Sequence, residues 1–180
     1  MIVHNTANMK GFIREALITI LAALVIFLGL QETIQSSIVL GSIMEPNFET
    51  GQRLIVNKVA YRFDDIKRGD VVILRPPSNS DADYIKRVIA LPGETVEIKD
   101  ELVYIDGGPL SEPYILDPPH YTMKQLEVPQ GYCFVLGDNR NSSNDSHIWG
   151  PLPQDNIVGK VWLSIWPPSD WEVAPNYFQN

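Results

Sequence analysis

The chain has 180 residues, 44% of them hydrophobic and 20% charged, with a formal net charge of -8. That length suits one domain of ordinary size with a short added segment and a sizeable core. The acidic balance argues against a nucleic-acid partner, which calls for a basic patch, and there is no internal repeat or low-complexity tract.

The first element is apolar. Residues 16–30 are interrupted only by Thr19 and Gly29; as a helix this run is about 22 Å long, short of the ~30 Å hydrocarbon core. Phe12 and Ile13 extend it on one side and Ile34 on the other. The reading is a membrane anchor over residues 12–35 after an N-terminal tail of residues 1–11. Lys10 and Arg14 flank its start and Glu32 follows it. The positive-inside rule then puts the tail in the cytoplasm and residues 36–180 outside, as the extracytoplasmic domain of a single-pass cell-membrane protein. A cleaved secretory signal has a similar apolar run, but Gly29-Leu30-Gln31 is a poor small-x-small site and Ser36-Ser37 comes late. A buried helix of a soluble protein is the third reading, and the flanking charges suit it less.

Beyond residue 50 the pattern becomes strand-like. Runs rich in β-branched residues occupy 53–59, 70–74, 84–90, 95–99, 102–105, 132–136 and 157–165. Turn signals separate them: Arg68-Gly69-Asp70, Pro76-Pro77-Ser78-Asn79, Leu91-Pro92-Gly93, Asp106-Gly107-Gly108 and Pro118-Pro119. Lys99-Asp100-Glu101 reads as a hairpin turn, and residues 110–127 as a surface excursion. No amphipathic helix of any length is expected in this part of the chain. The fold class is mainly β: an antiparallel coiled-sheet or barrel-like domain with one N-terminal transmembrane helix.

Cys133 is the only cysteine, so no intramolecular disulfide can form; within Tyr-Cys-Phe-Val-Leu it reads as a small buried hydrophobe. His4, His120 and His147 are far apart and lack metal-ligand spacing, so neither a metal nor a cofactor is expected.

Three motifs carry the chemistry. Residues 41–48 read Gly-Ser-Ile-Met-Glu-Pro-Asn-Phe. Residues 84–93 read Tyr-Ile-Lys-Arg-Val-Ile-Ala-Leu-Pro-Gly. In a strand, Tyr84, Lys86 and Val88 share one face, so Lys86 has largely apolar neighbours, as a desolvated lysine requires. Alone, such a lysine is more often solvated or snorkelling. Residues 137–146 read Gly-Asp-Asn-Arg-Asn-Ser-Ser-Asn-Asp-Ser, alone a polar hydrogen-bonded loop leaving a strand.

In this order, with Gly69-Asp70-Val71-Val72 as a further match, the motifs resemble those of the type I signal peptidases (leader peptidases), membrane-anchored serine proteases with a Ser/Lys dyad. The resemblance runs from the anchor to about Leu152. It implies that Lys86 is the general base, a neutral lysine that takes the proton of a serine hydroxyl. It implies that Ser143 hydrogen-bonds and orients the lysine amine. Asp138 and Asp145 become structural residues that fix the loop by charged pairs, with Arg140 as a partner. His147 stands where the family usually has Arg, which makes one ion pair weaker or pH-dependent, and Asn141 replaces a usual Asp.

Aligning Met44-Glu45-Pro46 on the family's Met-x-Pro puts Ile43 at the nucleophile position. Isoleucine has no heteroatom and cannot attack a carbonyl. Ser42 is one residue away; in an extended segment it faces away from Lys86, and only a local bulge re-aims it. The resemblance assigns the backbone N–H at position 43 to the oxyanion hole. A second donor, often a Ser hydroxyl, is lacking because Gly41 stands there.

The implied function is removal of N-terminal signal peptides from secreted preproteins, with small residues before the cut and extended substrate paired to a strand edge near Lys86. Gly41, Met44 and Pro46 belong to the substrate and oxyanion segment. The expected partners are preprotein signal peptides and the lipid membrane, and the expected state is a monomer. The alternative is a membrane-anchored homologue that binds signal peptides without cutting them. A self-cleaving repressor-type domain shares the dyad, but the anchor and the lack of a DNA-binding helix pair argue against it.

Overall fold

The structure, a computed structural model, describes residues 4–77 and 82–178. Ser78 and Asn79 of one expected turn lie outside the described residues. A long helix, α1 (His4–Thr33), leads directly into β1 (Ile34–Ile38). Then follow β2 (Arg53–Asn57), α2 (Ala60–Phe63), β3 (Val71–Leu74), β4 (Tyr84–Ala90), β5 (Thr95–Lys99) and β6 (Leu102–Ile105). The order continues with β7 (Gly108–Pro109), β8 (Met123–Glu127), β9 (Tyr132–Leu136), α3 (Ser146–Trp149), β10 (Leu152–Pro153), β11 (Ile157–Trp166) and β12 (Glu172–Val173). The fold is therefore mainly β, as expected, and α2 and α3 are single turns.

Within α1, residues Gly11–Thr33 are apolar enough to cross a bilayer, and none of the window is buried against the rest of the chain. The helix stops at Thr33, so Ile34 and Gln35, expected in the anchor, pair instead with Asn57 and Val56. β1 has no strand signal of its own, because Ile-Gln-Ser-Ser-Ile is a half-exposed, largely polar edge strand.

The strands form two antiparallel sheets. The larger runs β1-β2-β11-β3-β4-β9-β10 with β12 beside β11, and the smaller runs β7-β6-β5-β8. Register shifts in β11 and between β4 and β9 bend the larger sheet. The Lys99 hairpin closes on the Lys99↔Leu102 pair with Asp100 and Glu101 both at positive φ, as a two-residue turn between twisted strands requires. The expected surface excursion is only partly one. Its last five residues form β8 on β5, and Tyr114 is buried beneath it. Met-Lys-Gln-Leu-Glu has little β-propensity, so pairing to β5 decides its conformation.

Three apolar clusters make the core. One joins Val39, Met44 and Phe48 to β2, β3 and Ile85. A second lies over the smaller sheet around Ile98, Tyr114 and Phe134. The third gathers Val72, Leu74, Val88 and Cys133, with Tyr84 against it. Cys133 is buried, as expected, and burial pushes its thiol up to about 12.

Candidate active site

Residues 41–48 are not extended. They form a compact turn in which Glu45 N–H donates to the Ser42 carbonyl at 3.2 Å, and Asn47 and Phe48 N–H both donate to the Met44 carbonyl at 3.0 Å. Gly41 enters it at φ 79°, a conformation that favours glycine. Met44 and Phe48 are fully buried and fasten the turn to the core, while Pro46 stays exposed and follows a cis peptide bond. Face alternation therefore does not govern where Ser42 points, because alternation belongs to strands and this is a turn. The outcome nevertheless agrees: Ile43 lines a groove with Lys86, whereas Ser42 is not among the residues lining it.

That groove has a volume of about 310 Å³. Ile38, Val39, Leu40 and Ile43 line it together with residues 82–86 at the head of β4 and with Ser142 and Asn144 of the loop after β9. Its lining is mostly apolar, with Lys86 as its single cation.

Strand pairing places Lys86. Val72 stands opposite it, and Leu74 opposite Tyr84; these residues and Val88 form one apolar cluster, as the face pattern of β4 predicts. Lys86 is 1% exposed, with its amine 5.3 Å from the Tyr84 ring centroid. Burial pushes its pKa down to about 8, with the carboxylates of Asp145 and Asp138 pulling weakly the other way. A neutral, proton-accepting amine is thus accessible near neutral pH.

Arg87, on the other face of β4, is fully buried, and nothing in the sequence pattern singles it out. Its Nε and Nη2 donate to Asp138 at 2.8 and 2.6 Å, and Nη1 donates to the Gly69 and Pro175 carbonyls. Its guanidinium also lies over Tyr114, 4.5 Å from the ring centroid. Asp138 in turn accepts from Asn47 Nδ2 at 2.9 Å, so the loop after β9 and the 41–48 turn share one carboxylate. Two further bonds join them: Asn139 N–H donates to the Ile43 carbonyl at 3.2 Å and Asn139 Nδ2 to the Ser42 carbonyl at 3.1 Å.

The expected pairing of Arg140 with Asp138 or Asp145 is not what forms. Arg140 makes a two-pronged pair with Glu112, at 2.6 and 2.7 Å. Asp138 is engaged by Arg87, and Glu112 comes from the stretch expected to be a surface excursion. Asp145 accepts the Gly137 N–H at 3.0 Å and lies 2.6 Å from His147 Nδ1, so His147 stands beside a buried carboxylate. Ser143 also departs from expectation. Its Oγ is buried with no hydrogen-bond partner among the described residues, so the expected bond to the Lys86 amine is not made. Ser143 and the Ile43 carbonyl both press on Gly137, where an added Cβ would lie 2.6 Å from that carbonyl oxygen. Among the described residues no group of three or more His, Cys, Asp or Glu side chains could hold a metal ion.

The arrangement is a buried lysine beside an apolar groove, with a backbone turn held against it from two sides. The chain is similar to known proteins over most of its length. The family described as signal peptidase, peptidase S26, matches residues 11–166. A probable signal peptidase I-1 from Synechocystis sp. is 44% identical over 168 residues, 89% of this chain and 86% of its own. Signal peptidase IB from Staphylococcus aureus is 34% identical over 183 aligned positions, 91% of this chain and 95% of its own. A solved signal peptidase I from Enterococcus faecalis, 33% identical, superposes with a TM-score of 0.47 over 54% of this chain and 97% of its own.

Proposed function

The chain belongs to the signal peptidase family, peptidase S26, serine endopeptidases that remove signal peptides, and on that premise we propose that the groove between residues 38–43 and 82–86 receives the signal peptide. Lys86 is the general base of a Ser/Lys dyad in this reading, and position 43 is where the nucleophile belongs. One observation carries it: Lys86, buried and lowered to about 8, lines the same groove as Ile43.

Several features support substrate binding. The groove is apolar, as small uncharged side chains before a cleavage site require. Among the described residues nothing accepts from the Ile43 N–H, which leaves it available to a substrate carbonyl. α1 serves as the anchor, with Lys10 and Arg14 at its start holding the N-terminus in the cytoplasm and residues 36–180 on the other side.

Chemistry stops at Ile43. Lys86 can accept a proton, but the side chain at that position has none to give, and Ser42 is not in the groove. This chain therefore binds signal peptides and does not hydrolyse them; cleavage returns with a hydroxyl at position 43. Fluorescence anisotropy with a labelled signal peptide, carrying Ala at the first and third positions before the cut, tests the binding half. Saturable binding by the full chain in detergent, weakened by Leu40→Asp in the groove wall, is expected; binding that ignores Leu40→Asp would contradict it.

A further inference from the structure

Where α1 meets the folded domain there is a second recess, of about 230 Å³, separate from the groove above. Lys58, Arg62 and Arg75 line it, together with Glu32 and Asp155. Elsewhere in the domain Lys67, Arg68, Arg87, Lys99, Arg140 and Lys160 each have a carboxylate partner, while Arg53, Lys86 and Lys124 have none among the described residues. Lys58, Arg62 and Arg75 have none among the described residues. Three unpaired cations against two acids leave the recess at a formal +1, in a chain whose net charge is -8.

The position of this recess is set by the chain. Gly11–Thr33 spans roughly 35 Å as a helix, a little more than the ~30 Å hydrocarbon core, so Thr33 reaches the headgroup layer. The Lys58 N–H donates to the Thr33 carbonyl at 2.9 Å, which fixes Lys58 to that level. Arg75 is held by the exchange of its N–H with the Asn156 carbonyl, at 2.9 Å, and of Asn156 Nδ2 with its own carbonyl, at 3.1 Å. On α2, Arg62 is followed by Phe63, which is 89% exposed. A cation beside a projecting aromatic suits the boundary between headgroups and acyl chains.

We propose that this recess binds the phosphate of an anionic membrane lipid, with Lys58, Arg62 and Arg75 around the phosphodiester and Phe63 among the upper acyl carbons. A singly charged phosphodiester cancels the +1, and an acidic domain that anionic lipid would otherwise repel gains a fixed seat at the foot of its anchor. The proposal rests on reading α1 as a bilayer anchor and is independent of catalysis.

The test is native mass spectrometry of the full chain in detergent micelles doped with phosphatidylglycerol or with phosphatidylcholine. Phosphatidylglycerol should be retained roughly tenfold better or more. Lys58→Ser, Arg62→Ser and Arg75→Ser together should abolish that preference. A charge-matched variant, Arg53→Ser with Lys99→Ser and Lys124→Ser, should keep it. Equal loss in both variants would overturn the proposal, since net charge alone would then govern retention; so would equal binding of free glycerol phosphate, since the ligand would then be soluble. Preprotein cleavage and signal-peptide binding do not enter this readout, so the lipid site and the proposed function can fail separately.

Discussion

Arg87 and Asp138 form a fully buried, two-pronged ion pair, at 2.8 and 2.6 Å, between the strand that carries Lys86 and the loop that holds the carbonyls of Ser42 and Ile43. Adjacent residues of β4 thus have different tasks: Lys86 faces the groove and Arg87 ties down the elements around it. Removing one partner of such a pair leaves an uncompensated buried charge, which costs more than the pair contributes. Asp138→Ala should destabilise the domain by about 3–5 kcal/mol in denaturant unfolding. A loss below about 1 kcal/mol would show that water reaches Arg87 once Asp138 is gone.

Gly137 separates the loop after β9 from the 41–48 turn, and a methyl group there meets the Ile43 carbonyl oxygen and the Ser143 side chain. Gly137→Ala should displace the turn, destabilise the domain by roughly 1–3 kcal/mol and weaken signal-peptide binding. Unfolding and anisotropy measured on the same preparation check both effects. Gly107→Ala is the control for a glycine substitution in open space: its φ is positive, but an added Cβ meets nothing within 4 Å.

The lowered pKa of Lys86 makes a stability prediction with a definite sign. The folded value of about 8 lies below the ordinary 10.5, so between those values the unfolded chain binds more protons. Stability from this group therefore rises with pH from about 8 to about 10.5, and at neutral pH the buried charge is unfavourable by roughly 3 kcal/mol. Lys86→Met should raise stability at pH 7 and flatten that part of the profile. Chemical denaturation at pH 7, 9 and 10.5 measures it; an unchanged slope would mean that Lys86 titrates at its ordinary value.

The chain end acts as a strap. Tyr177 stacks on Tyr114, with centroids 5.3 Å apart, and its hydroxyl donates to Asn47 Oδ1 at 2.9 Å, while Pro175 supplies a carbonyl to Arg87. Pro175 and Tyr177 lie beyond the family match, which ends at residue 166. Tyr177→Phe keeps the stack and loses the bond, and should cost about 0.5–1.5 kcal/mol. Tyr177→Ala loses both and should cost more. Thermal unfolding of the two variants gives the order, and equal midpoints would rule out a contribution from the ring.

Much of the fold is legible in the sequence because its signals are local. β4, β5, β6 and β9 are dense in β-branched or aromatic residues and set off by local turn signals, and their limits are as expected. β1 and β8 are not legible: Ile-Gln-Ser-Ser-Ile and Met-Lys-Gln-Leu-Glu become strands by pairing with β2 and β5, which are distant or carry the stronger signal. Lys86 stands out by its apolar face neighbours and its motif. Arg87 does not, although it is next in the chain, because the carboxylate that justifies burying it lies 51 residues away. The acid that pairs with Arg140 is hidden for a similar reason: Glu112 sits in a proline-rich stretch with no strand signal, and only the fold brings it near. An extended reading of residues 41–48 fails because nothing in Ser-Ile-Met-Glu-Pro announces how tightly Met44 and Phe48 pull the turn into the core.

Cleavage of a purified preprotein in detergent is the most direct measurement on the central claim, comparing the unaltered chain with Ile43→Ser and with Ile43→Ser/Lys86→Ala. The expected result is no cleavage by the unaltered chain, cleavage at the signal-peptide boundary by Ile43→Ser with a rate that rises through about pH 8, and its loss in the double variant. Cleavage by the unaltered chain would contradict the account, because Ile43 would then not block the reaction; so would cleavage by Ile43→Ser that survives Lys86→Ala, because Lys86 would then not be its base.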